Sequence, residues 1–256
     1  MADSEREGAL DDKKNGLNVR NAESLQEDYT NARIPSGSEV IDSLLNGGYE
    51  RDIVTTVYGP PGSGKTTVCL IAVKKALETG GKAIYIDTEG SFSVERFLQL
   101  FDDKETGLSY LDRIYIVRPS SFEEQKQAFN YLKEKIRELV SIIVVDSISM
   151  LYRAEIGDKR DIPETSRALS SQMTSLVTVA GKNKIPVIVT SQVYSSVEGN
   201  DRLIMYGGEF MKYASKCLVE LEFEQQMNTR NITLRKHRSI ESGKRKGFTI
   251  EAKGIF

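Results

Sequence analysis

Short apolar segments alternate with longer segments of helical periodicity through the middle of this 256-residue chain. In the segment from Ser121 to Val140, Ser121 and Glu124 form a capping box, and apolar side chains recur at the spacing of one helix face. In contrast, Ile142–Asp146 is apolar up to its final carboxylate, as expected for a strand covered on both faces. The alternation predicts a parallel sheet with helices packed on it.

The pattern changes after Lys216, where three segments of strand character follow one another without a helix between them. We expect them to extend the sheet with antiparallel strands. The predicted fold class is therefore α/β, with a mainly parallel central sheet flanked by helices and with antiparallel C-terminal strands. The predicted strands are 53–58, 83–87, 114–117, 142–146, 187–191, 217–223, 229–236 and 247–252, and the main predicted helices are 66–78, 121–140 and 163–181.

The two ends of the chain differ in charge. Residues 1–33 contain eight acidic and five basic side chains, and their apolar residues follow neither a strand nor a helix period. Residues 227–256 contain eight basic and two acidic side chains, which suits contact with a polyanion. We therefore predict a flexible acidic N-terminal tail at 1–33 and one core domain at 34–256.

The composition excludes several classes of protein. Two cysteines and one histidine cannot build a disulfide framework or a Cys/His zinc site. The acidic, polar N-terminus is unlike a secretory signal, and no apolar segment approaches the roughly 20 residues of a transmembrane helix. A formal net charge of −2 indicates no partner by itself. We expect a soluble, cytoplasmic protein that does not bind membranes.

The segment GPPGSGKT, from Gly59 to Thr66, matches the phosphate-binding loop pattern G-x-x-x-x-G-K-[ST] at every position. A predicted strand precedes it and a predicted helix follows, which is the context that this motif requires. In such a loop main-chain N–H groups surround phosphate oxygens, Lys65 reaches the β- and γ-phosphates, and the Thr66 hydroxyl binds Mg²⁺. The sequence thus predicts a site for ATP and Mg²⁺. The residues of this site are Gly59, Pro60, Pro61, Gly62, Ser63, Gly64, Lys65, Thr66 and Thr67.

Three polar residues stand at or just after the ends of other predicted strands. Asp146 ends its strand, and as a neighbour of the phosphate loop it would complete the Mg²⁺ site. Glu89 would polarise the attacking water, and Gln192 would hydrogen-bond that water or the γ-phosphate. The alternative is that Asp146 merely ends a buried strand and the other two are solvated loop residues. A small-molecule kinase, the main competing enzyme class, would need neither Glu89 with Gln192 nor the β tail.

Together these residues resemble the core ATPase of the RecA/RadA recombinase superfamily, most closely its short archaeal branch. The resemblance spans about residues 34–256 and implies a RecA-like P-loop NTPase core. The phosphate loop is the one segment that is specific by itself. The other matching segments indicate the family only through their order and spacing along the chain. The matching pieces are 34–37, 41–48, 59–66, 87–90, 95–97, 146–147, 151–153, 190–193, 207–208 and 236–238.

The resemblance also implies roles for single residues. It makes Glu89 the water-activating glutamate and Gln192 the γ-phosphate sensor, and it places Arg96 against the adenine ring. Lys236 and Arg238 match basic residues that reach a neighbouring subunit's γ-phosphate, so they would bind the nucleotide from a second chain or from their own. The alternative for this basic pair is a solvated edge strand that positive charge protects from pairing.

Two segments, 153–163 and 194–206, resemble the DNA-binding loops of the family. Exposed basic residues on loops are also common on ordinary surfaces, and this remains the alternative interpretation. The candidate DNA contacts are Arg153, Lys159, Arg160 and Arg202.

The function implied by the resemblance is an ATP-dependent DNA-binding protein that assists homologous recombination and DNA repair, with weak Mg²⁺-dependent hydrolysis. Its expected partners are single- or double-stranded DNA, the recombinase RadA or a Holliday-junction nuclease, and further copies of itself. The chain contains no Phe-x-x-Ala tetrapeptide and, before residue 34, no pattern of a helical DNA-binding domain, so we expect no strand exchange of its own. The alternatives are a KaiC-like single-domain ATPase and an ATP-switched regulatory binding module.

Overall fold

A computed structural model of the chain describes residues 33–136, 140–158, 162–195, 203–224 and 228–256. Within these residues, Arg33–Phe256 belong to one compact unit. The strands are β1 (Arg33–Ile34), β2 (Tyr49–Glu50), β3 (Val54–Tyr58), β4 (Lys82–Asp87), β5 (Ile114–Val117), β6 (Val140–Asp146), β7 (Val187–Ser191), β8 (Val193–Ser195), β9 (Leu203–Met205), β10 (Cys217–Phe223), β11 (Thr229–Lys236), β12 (Arg245–Glu251) and β13 (Gly254–Ile255). The helices are α1 (Glu39–Leu44), α2 (Lys65–Glu78), α3 (Val94–Leu98), α4 (Lys104–Ser109), α5 (Phe122–Lys135), α6 (Ser149–Asp158), α7 (Ile162–Asn183) and α8 (Gly208–Ala214), and a 3₁₀ turn covers Leu111–Arg113.

A nine-stranded sheet in the order β13-β12-β11-β10-β3-β7-β6-β4-β5 carries the fold. The strands from β10 to β5 are parallel, whereas β11, β12 and β13 are antiparallel to their neighbours. The predicted fold class, a mainly parallel sheet with antiparallel C-terminal strands, is confirmed. Since β3 lies between β10 and β7, the phosphate loop that follows it emerges at the centre of the carboxyl edge.

Two hydrophobic clusters cover the two faces of this sheet. Strand β6 contributes Ile142 and Val144 to one cluster and Ile143 and Val145 to the other, and all four side chains are fully buried. A strand covered on both faces needs apolar residues at every position, which explains its unbroken apolar sequence. Among the described residues, no helix is long and apolar enough to cross a membrane.

Three departures from the sequence prediction concern the site and the segments around it. Val140 is the first residue of β6 rather than the end of the preceding helix, because it pairs with Lys82 of β4. The predicted first DNA-binding loop is helical at both ends, in α6 and in α7. The predicted second loop begins and ends in an antiparallel pair, β8 and β9. The tail assigned to 1–33 lies outside the described residues except for Arg33, so the domain boundary stays a prediction.

Candidate active site

The phosphate loop connects β3 to α2, and two of its glycines, Gly59 and Gly64, lie close to the C-terminal strands. A Cβ atom at Gly59 would lie 2.3 Å from the Leu221 carbonyl oxygen of β10. Gly64 has a φ of +107°, in the left-handed region, and a Cβ there would lie 2.6 Å from Cδ1 of Ile250. The pattern therefore reflects close packing of this loop against the C-terminal strands.

Lys65, the first residue of α2, bonds to the loop itself. Its ammonium group donates to the carbonyl oxygens of Gly59 at 2.8 Å and Pro60 at 2.9 Å. Burial lowers the pKa of Lys65, although the nearby carboxylates of Glu89 and Asp146 act in the opposite direction. The loop thus holds a cation close to two carboxylates.

Asp146, at the end of β6, accepts hydrogen bonds from four hydroxyl groups. Thr66 and Tyr85 donate to Oδ2 at 2.8 and 2.9 Å, Ser91 donates to the same oxygen at 3.0 Å, and Thr190 donates to Oδ1 at 2.5 Å. Burial, and then the negative charge of Asp146, raise the pKa of Tyr85 well above its ordinary value, so this phenol stays a donor. The structure therefore brings the two predicted metal-binding residues, Thr66 and Asp146, into direct contact.

Glu89 and Gln192 meet beside this pair. Oε1 of Glu89 accepts one hydrogen bond from the Ser147 hydroxyl at 2.5 Å and a second from Nε2 of Gln192 at 2.9 Å. Nη1 of Arg153, on α6, donates to Oε1 of Gln192. The register of β4 with β6 places Asp87, the last residue of β4, beside Asp146. Glu89 follows Asp87 by two residues. The two predicted acids, Glu89 and Asp146, therefore come from neighbouring strands and lie at the same edge of the sheet.

The remaining predicted nucleotide-binding residues lie elsewhere. Arg96, on α3, donates to the carbonyl oxygens of Glu251 and Ala252 at 2.9 and 2.6 Å, so it ties this helix to the C-terminal hairpin. Lys236 donates to the carbonyl oxygens of Lys212 and Ser215 at 2.6 and 2.9 Å. A contact of Arg96 with adenine stays a prediction.

Arg238 pairs with two acids that precede β3. It contacts Oδ1 of Asp52 at 2.6 Å and Oε2 of Glu50 at 2.5 Å. Burial favours the neutral form of Asp52, but the hydrogen bonds and charge of Arg238 lower the Asp52 pKa. Because β11 is antiparallel to β10, Lys236 and Arg238 lie toward the amino edge of the sheet, away from the phosphate loop of the same chain.

Of the four candidate DNA contacts, Arg153 is described, and it is exposed. Its guanidinium lies 4.6 Å from the ring centre of Tyr206, next to the β8–β9 pair. The sequence predicted no role for Ser147, for Tyr206 or for three of the hydroxyl donors to Asp146, those of Tyr85, Ser91 and Thr190. Ser147 directly follows Asp146, and this position at a strand end is the signal that could have indicated it. The other candidates, Lys159, Arg160 and Arg202, lie outside the described residues.

The donors around the loop fit a nucleoside triphosphate and Mg²⁺. The buried Ser63 hydroxyl has no hydrogen-bond partner among the described residues, so it is a donor that an anion can use. Thr66 and Asp146 supply the oxygen ligands that Mg²⁺ prefers. In the described part of the chain, no group of three or more His, Cys, Asp or Glu side chains is arranged to hold a metal ion.

The family model, the related sequences and a solved structure all indicate the same family. The Rad51 family model matches residues 29–255. The DNA repair and recombination protein RadB of Methanoculleus marisnigri is 40% identical over 227 residues, which cover 87% of this chain and 97% of that protein. RadB of Methanococcus maripaludis strain C5 is 38% identical over 219 residues, covering 84% and 96% of the two chains.

A solved structure, titled "Crystal structure of the RadB recombinase", superimposes with a TM-score of 0.72 at 33% identity and covers 87% of this chain and 98% of that one. Proteins of the RecA and Rad51 group are ATPases that bind ATP with Mg²⁺. A match over nearly the whole core, with high coverage of each relative, decides the family. This chain therefore belongs to the Rad51 family of RecA-like recombinases, where its relatives are the RadB proteins.

Proposed function

We propose that this protein is an ATP-dependent DNA-binding protein that assists homologous recombination and DNA repair, with slow Mg²⁺-dependent ATP hydrolysis and no strand exchange of its own. One observation carries the catalytic part. The phosphate loop, the Thr66–Asp146 pair at 2.8 Å and the Glu89–Gln192 pair at 2.9 Å all lie along one sheet edge. The names of the relatives support recombination rather than the KaiC-like alternative.

Each group at this edge has one task. The loop and Lys65 bind the phosphates, and Thr66 with Asp146 holds the metal ion. A Mg²⁺ ion held there would supply positive charge that offsets the charge of the phosphates. Glu89 accepts a proton from the attacking water, and Gln192 donates to that water or to the γ-phosphate. The two hydrogen bonds that Glu89 accepts from Ser147 and Gln192 occupy one of its oxygens, and this supports slow turnover.

The proposal assigns the other predicted residues to contacts with larger ligands. Arg96 would face adenine, and Arg153, with the predicted contacts at 159, 160 and 202, would bind DNA phosphates. Lys236 and Arg238 would bind the nucleotide of a second copy of the chain. The expected protein partners are RadA and a Holliday-junction nuclease.

The substitution Glu89→Gln tests hydrolysis. We expect ATP affinity within about threefold of the wild type and a turnover lower by roughly 100-fold or more, since a positioned base contributes on this scale. Glu105→Gln, at an exposed carboxylate on α4, serves as the matched control and should hydrolyse ATP normally. Titration with a fluorescent ATP analogue and a phosphate-release assay give the two quantities. Normal turnover in E89Q would contradict the assignment, and retained partner binding without turnover would indicate a regulatory module.

DNA binding is tested separately by fluorescence anisotropy of labelled 30-nucleotide single strands and duplexes at about 50 and 200 mM salt. Binding through phosphate contacts predicts an affinity that falls by several-fold or more over this range, because each contact releases condensed counterions. No detectable binding at the lower salt concentration would exclude the DNA-binding part of the proposal and would leave the ATPase part standing.

A further inference from the structure

The loop at 88–92, which we call the Glu89 loop, is fixed at its first residue to the end of β6. The main-chain N–H of Thr88 donates to the Asp146 carbonyl oxygen at 3.0 Å. The Thr88 hydroxyl donates to the carbonyl oxygen of Ser147 at 2.6 Å and accepts from the N–H of Ser147 at 2.9 Å. Glu89 therefore follows a residue that three hydrogen bonds hold in place.

The other end of the Glu89 loop is fixed by the carboxylate of Asp87, the last residue of β4. Oδ1 of Asp87 accepts from the Ser91 N–H at 2.8 Å, and Oδ2 accepts from the Phe92 N–H at 3.3 Å. A short loop leaves such N–H groups without main-chain partners, and an aspartate side chain satisfies them. Glu89 and Gly90 thus lie between two fixed points, so the place of the Glu89 carboxylate depends on both.

Arg118, which directly follows β5, holds the second of these fixed points. Nε of Arg118 donates to Oδ2 of Asp87 at 3.1 Å, and Nη2 donates to the Phe92 carbonyl oxygen at 3.2 Å. The Asp87 side chain is fully buried, whereas that of Arg118 is 57% exposed. Among the described residues, Arg118 is the one cation that pairs with Asp87. A single guanidinium therefore balances the buried charge and also closes the loop.

Ser91 and Phe92 connect this closed end to the predicted metal site. The Ser91 hydroxyl donates to Oδ2 of Asp146 at 3.0 Å. The Phe92 ring lies edge to face with that of Tyr85, at 5.1 Å between ring centres, and the Tyr85 hydroxyl donates to the same oxygen of Asp146 at 2.9 Å. A shift of the closed end would therefore reach both predicted acids: Glu89 along the chain, and Asp146 through its donors.

Without the guanidinium, Asp87 would be a buried carboxylate with no counter-charge, at the same edge as two other acids. The Glu89 loop would have to open so that water could reach Asp87, and Glu89 would move with it. We propose that Arg118 is a positioning residue for hydrolysis: through Asp87 it closes the loop and places Glu89 against the attacking water. This inference rests on the proposed function.

The kinetic test uses Arg118→Met and a matched control, Arg167→Met, which removes an exposed arginine from α7. Titration with a fluorescent ATP analogue gives the affinity and the number of competent sites, so that turnover is expressed per site. We expect R118M to bind the analogue within about threefold of the wild type and to hydrolyse ATP about tenfold or more slowly, since a displacement of about 1 Å can lower a rate by roughly 100-fold. R167M should match the wild type. A turnover per site in R118M within about twofold of the wild type would overturn the proposal.

A double-mutant comparison tests whether Arg118 acts through Asp87. Asp87→Asn removes the buried charge and keeps a carbonyl oxygen that can accept from the Ser91 N–H. We expect D87N/R118M to hydrolyse ATP within about twofold of D87N alone, because the guanidinium then has no charge to balance. A further loss of about tenfold in this background would contradict the proposal. Circular dichroism and thermal melting establish that each variant is folded, and the comparison with D87N decides the matter if R118M is not.

Hydrogen exchange gives a readout that does not depend on hydrolysis. In the protein without nucleotide, peptides that contain residues 88–92 should take up deuterium about tenfold faster in R118M than in the wild type, because the N–H groups of Ser91 and Phe92 lose their fixed acceptor. Peptides from α7 should be unchanged, and R167M should exchange like the wild type at 88–92. If R118M also does so, the proposal is wrong. If every peptide accelerates equally, Arg118 serves stability alone, which contradicts the proposal as well.

These arms separate failure of this inference from failure of the proposed function. A wild-type protein that binds ATP but never hydrolyses it contradicts the proposed ATPase, whereas exchange at 88–92 still decides whether Arg118 holds the loop. A wild type that hydrolyses ATP, together with an R118M of unchanged turnover, contradicts the role of Arg118 alone.

Discussion

Two buried carboxylates at opposite edges of the sheet have different kinds of donors. Asp146 accepts from neutral hydroxyl groups, such as those of Thr66 and Thr190, so no cation contacts it directly among the described residues. Glu50, which precedes β3, is instead paired with Arg33 at 2.9 Å and with Arg238 at 2.5 Å. A carboxylate held by hydroxyl groups keeps its charge available for a metal ion, whereas Glu50 is already paired and serves the fold.

His237 lies against Glu50, and its pKa makes stability depend on pH. Burial lowers the His237 pKa, the cations Arg33 and Arg238 lower it further, and Glu50 opposes them. Nδ1 of His237 accepts a hydrogen bond from the Ser239 N–H at 3.1 Å, which requires the unprotonated nitrogen. The folded protein therefore prefers the neutral ring.

We predict that this preference contributes stability above about pH 6.5 that is lost as the pH falls below that value, since the unfolded chain then binds a proton first. His237→Asn, whose amide oxygen can still accept from Ser239, should lose less free energy of unfolding between pH 7.5 and 5.5 than the wild type. Urea denaturation at the two values measures this difference. Asp52, whose pKa is lowered, changes its charge only below about pH 4, so its protonation does not affect the comparison between pH 7.5 and 5.5. Equal losses in both proteins would contradict the prediction.

At the scale of elements, the phosphate loop depends on its fit against β10. The Leu221 carbonyl oxygen lies where a side chain at Gly59 would begin, at 2.3 Å. Gly157 lies within α6, and a Cβ atom added there would meet no atom within 4 Å outside its own stretch of helix. The two glycines therefore differ in what they require: the first must lack a side chain, whereas the second has space for one.

We predict that Gly59→Ala destabilises the fold by about 1–3 kcal/mol and weakens ATP binding, because the loop or β10 must shift. Gly157→Ala is the matched control, and it should be neutral or stabilise by up to about 1 kcal/mol through helix propensity. Urea denaturation gives the stabilities, and titration with a fluorescent ATP analogue gives the affinities. The same loss of stability in both variants would show that packing against β10 is not the cause.

The sequence predicted those elements whose signal is local. Strand β6 was predicted because apolar residues fill it, and α2 because a glycine-rich loop precedes it and glycines follow. Helix α6 was not predicted, although Ile148, Leu151, Tyr152 and Ile156 follow a helical period. The segment was assigned to a DNA-binding loop because it resembles that loop of the family. The hydroxyl donors to Asp146 other than Thr66 could not be predicted, because they depend on strand order and register, which join segments far apart in the chain.

At the scale of the whole molecule, the sheet separates the residues around the phosphate loop from the basic residue Lys236. The phosphate loop and the groups around Asp146 and Glu89 lie at the carboxyl edge of the parallel strands. Lys236 lies opposite Leu218, near the start of β10, and its ammonium group points to carbonyl oxygens that precede this strand. Lys236 therefore lies away from the phosphate loop of its own chain.

We predict that Lys236 acts between chains, which a mixing experiment can measure. Lys65→Ala removes phosphate binding and keeps the basic strand, while Lys236→Met does the reverse. Each variant alone should hydrolyse ATP slowly. An equal mixture should recover up to about a quarter of the wild-type rate, because in a head-to-tail assembly a random quarter of the contacts join an intact site to an intact Lys236.

Lys236 is the better residue for this test than Arg238. Removing Arg238 would leave the buried Glu50 with one fewer cation, so lost activity could reflect lost stability. Lys236 donates only to carbonyl oxygens, and K236M should melt close to the wild-type temperature. A recovered rate that rises with protein concentration supports action between chains. If the mixture gives only the mean of the two slow rates at every concentration, Lys236 does not reach a neighbour's nucleotide. The alternative of a protected edge strand is excluded already, because β11 is paired with both β10 and β12.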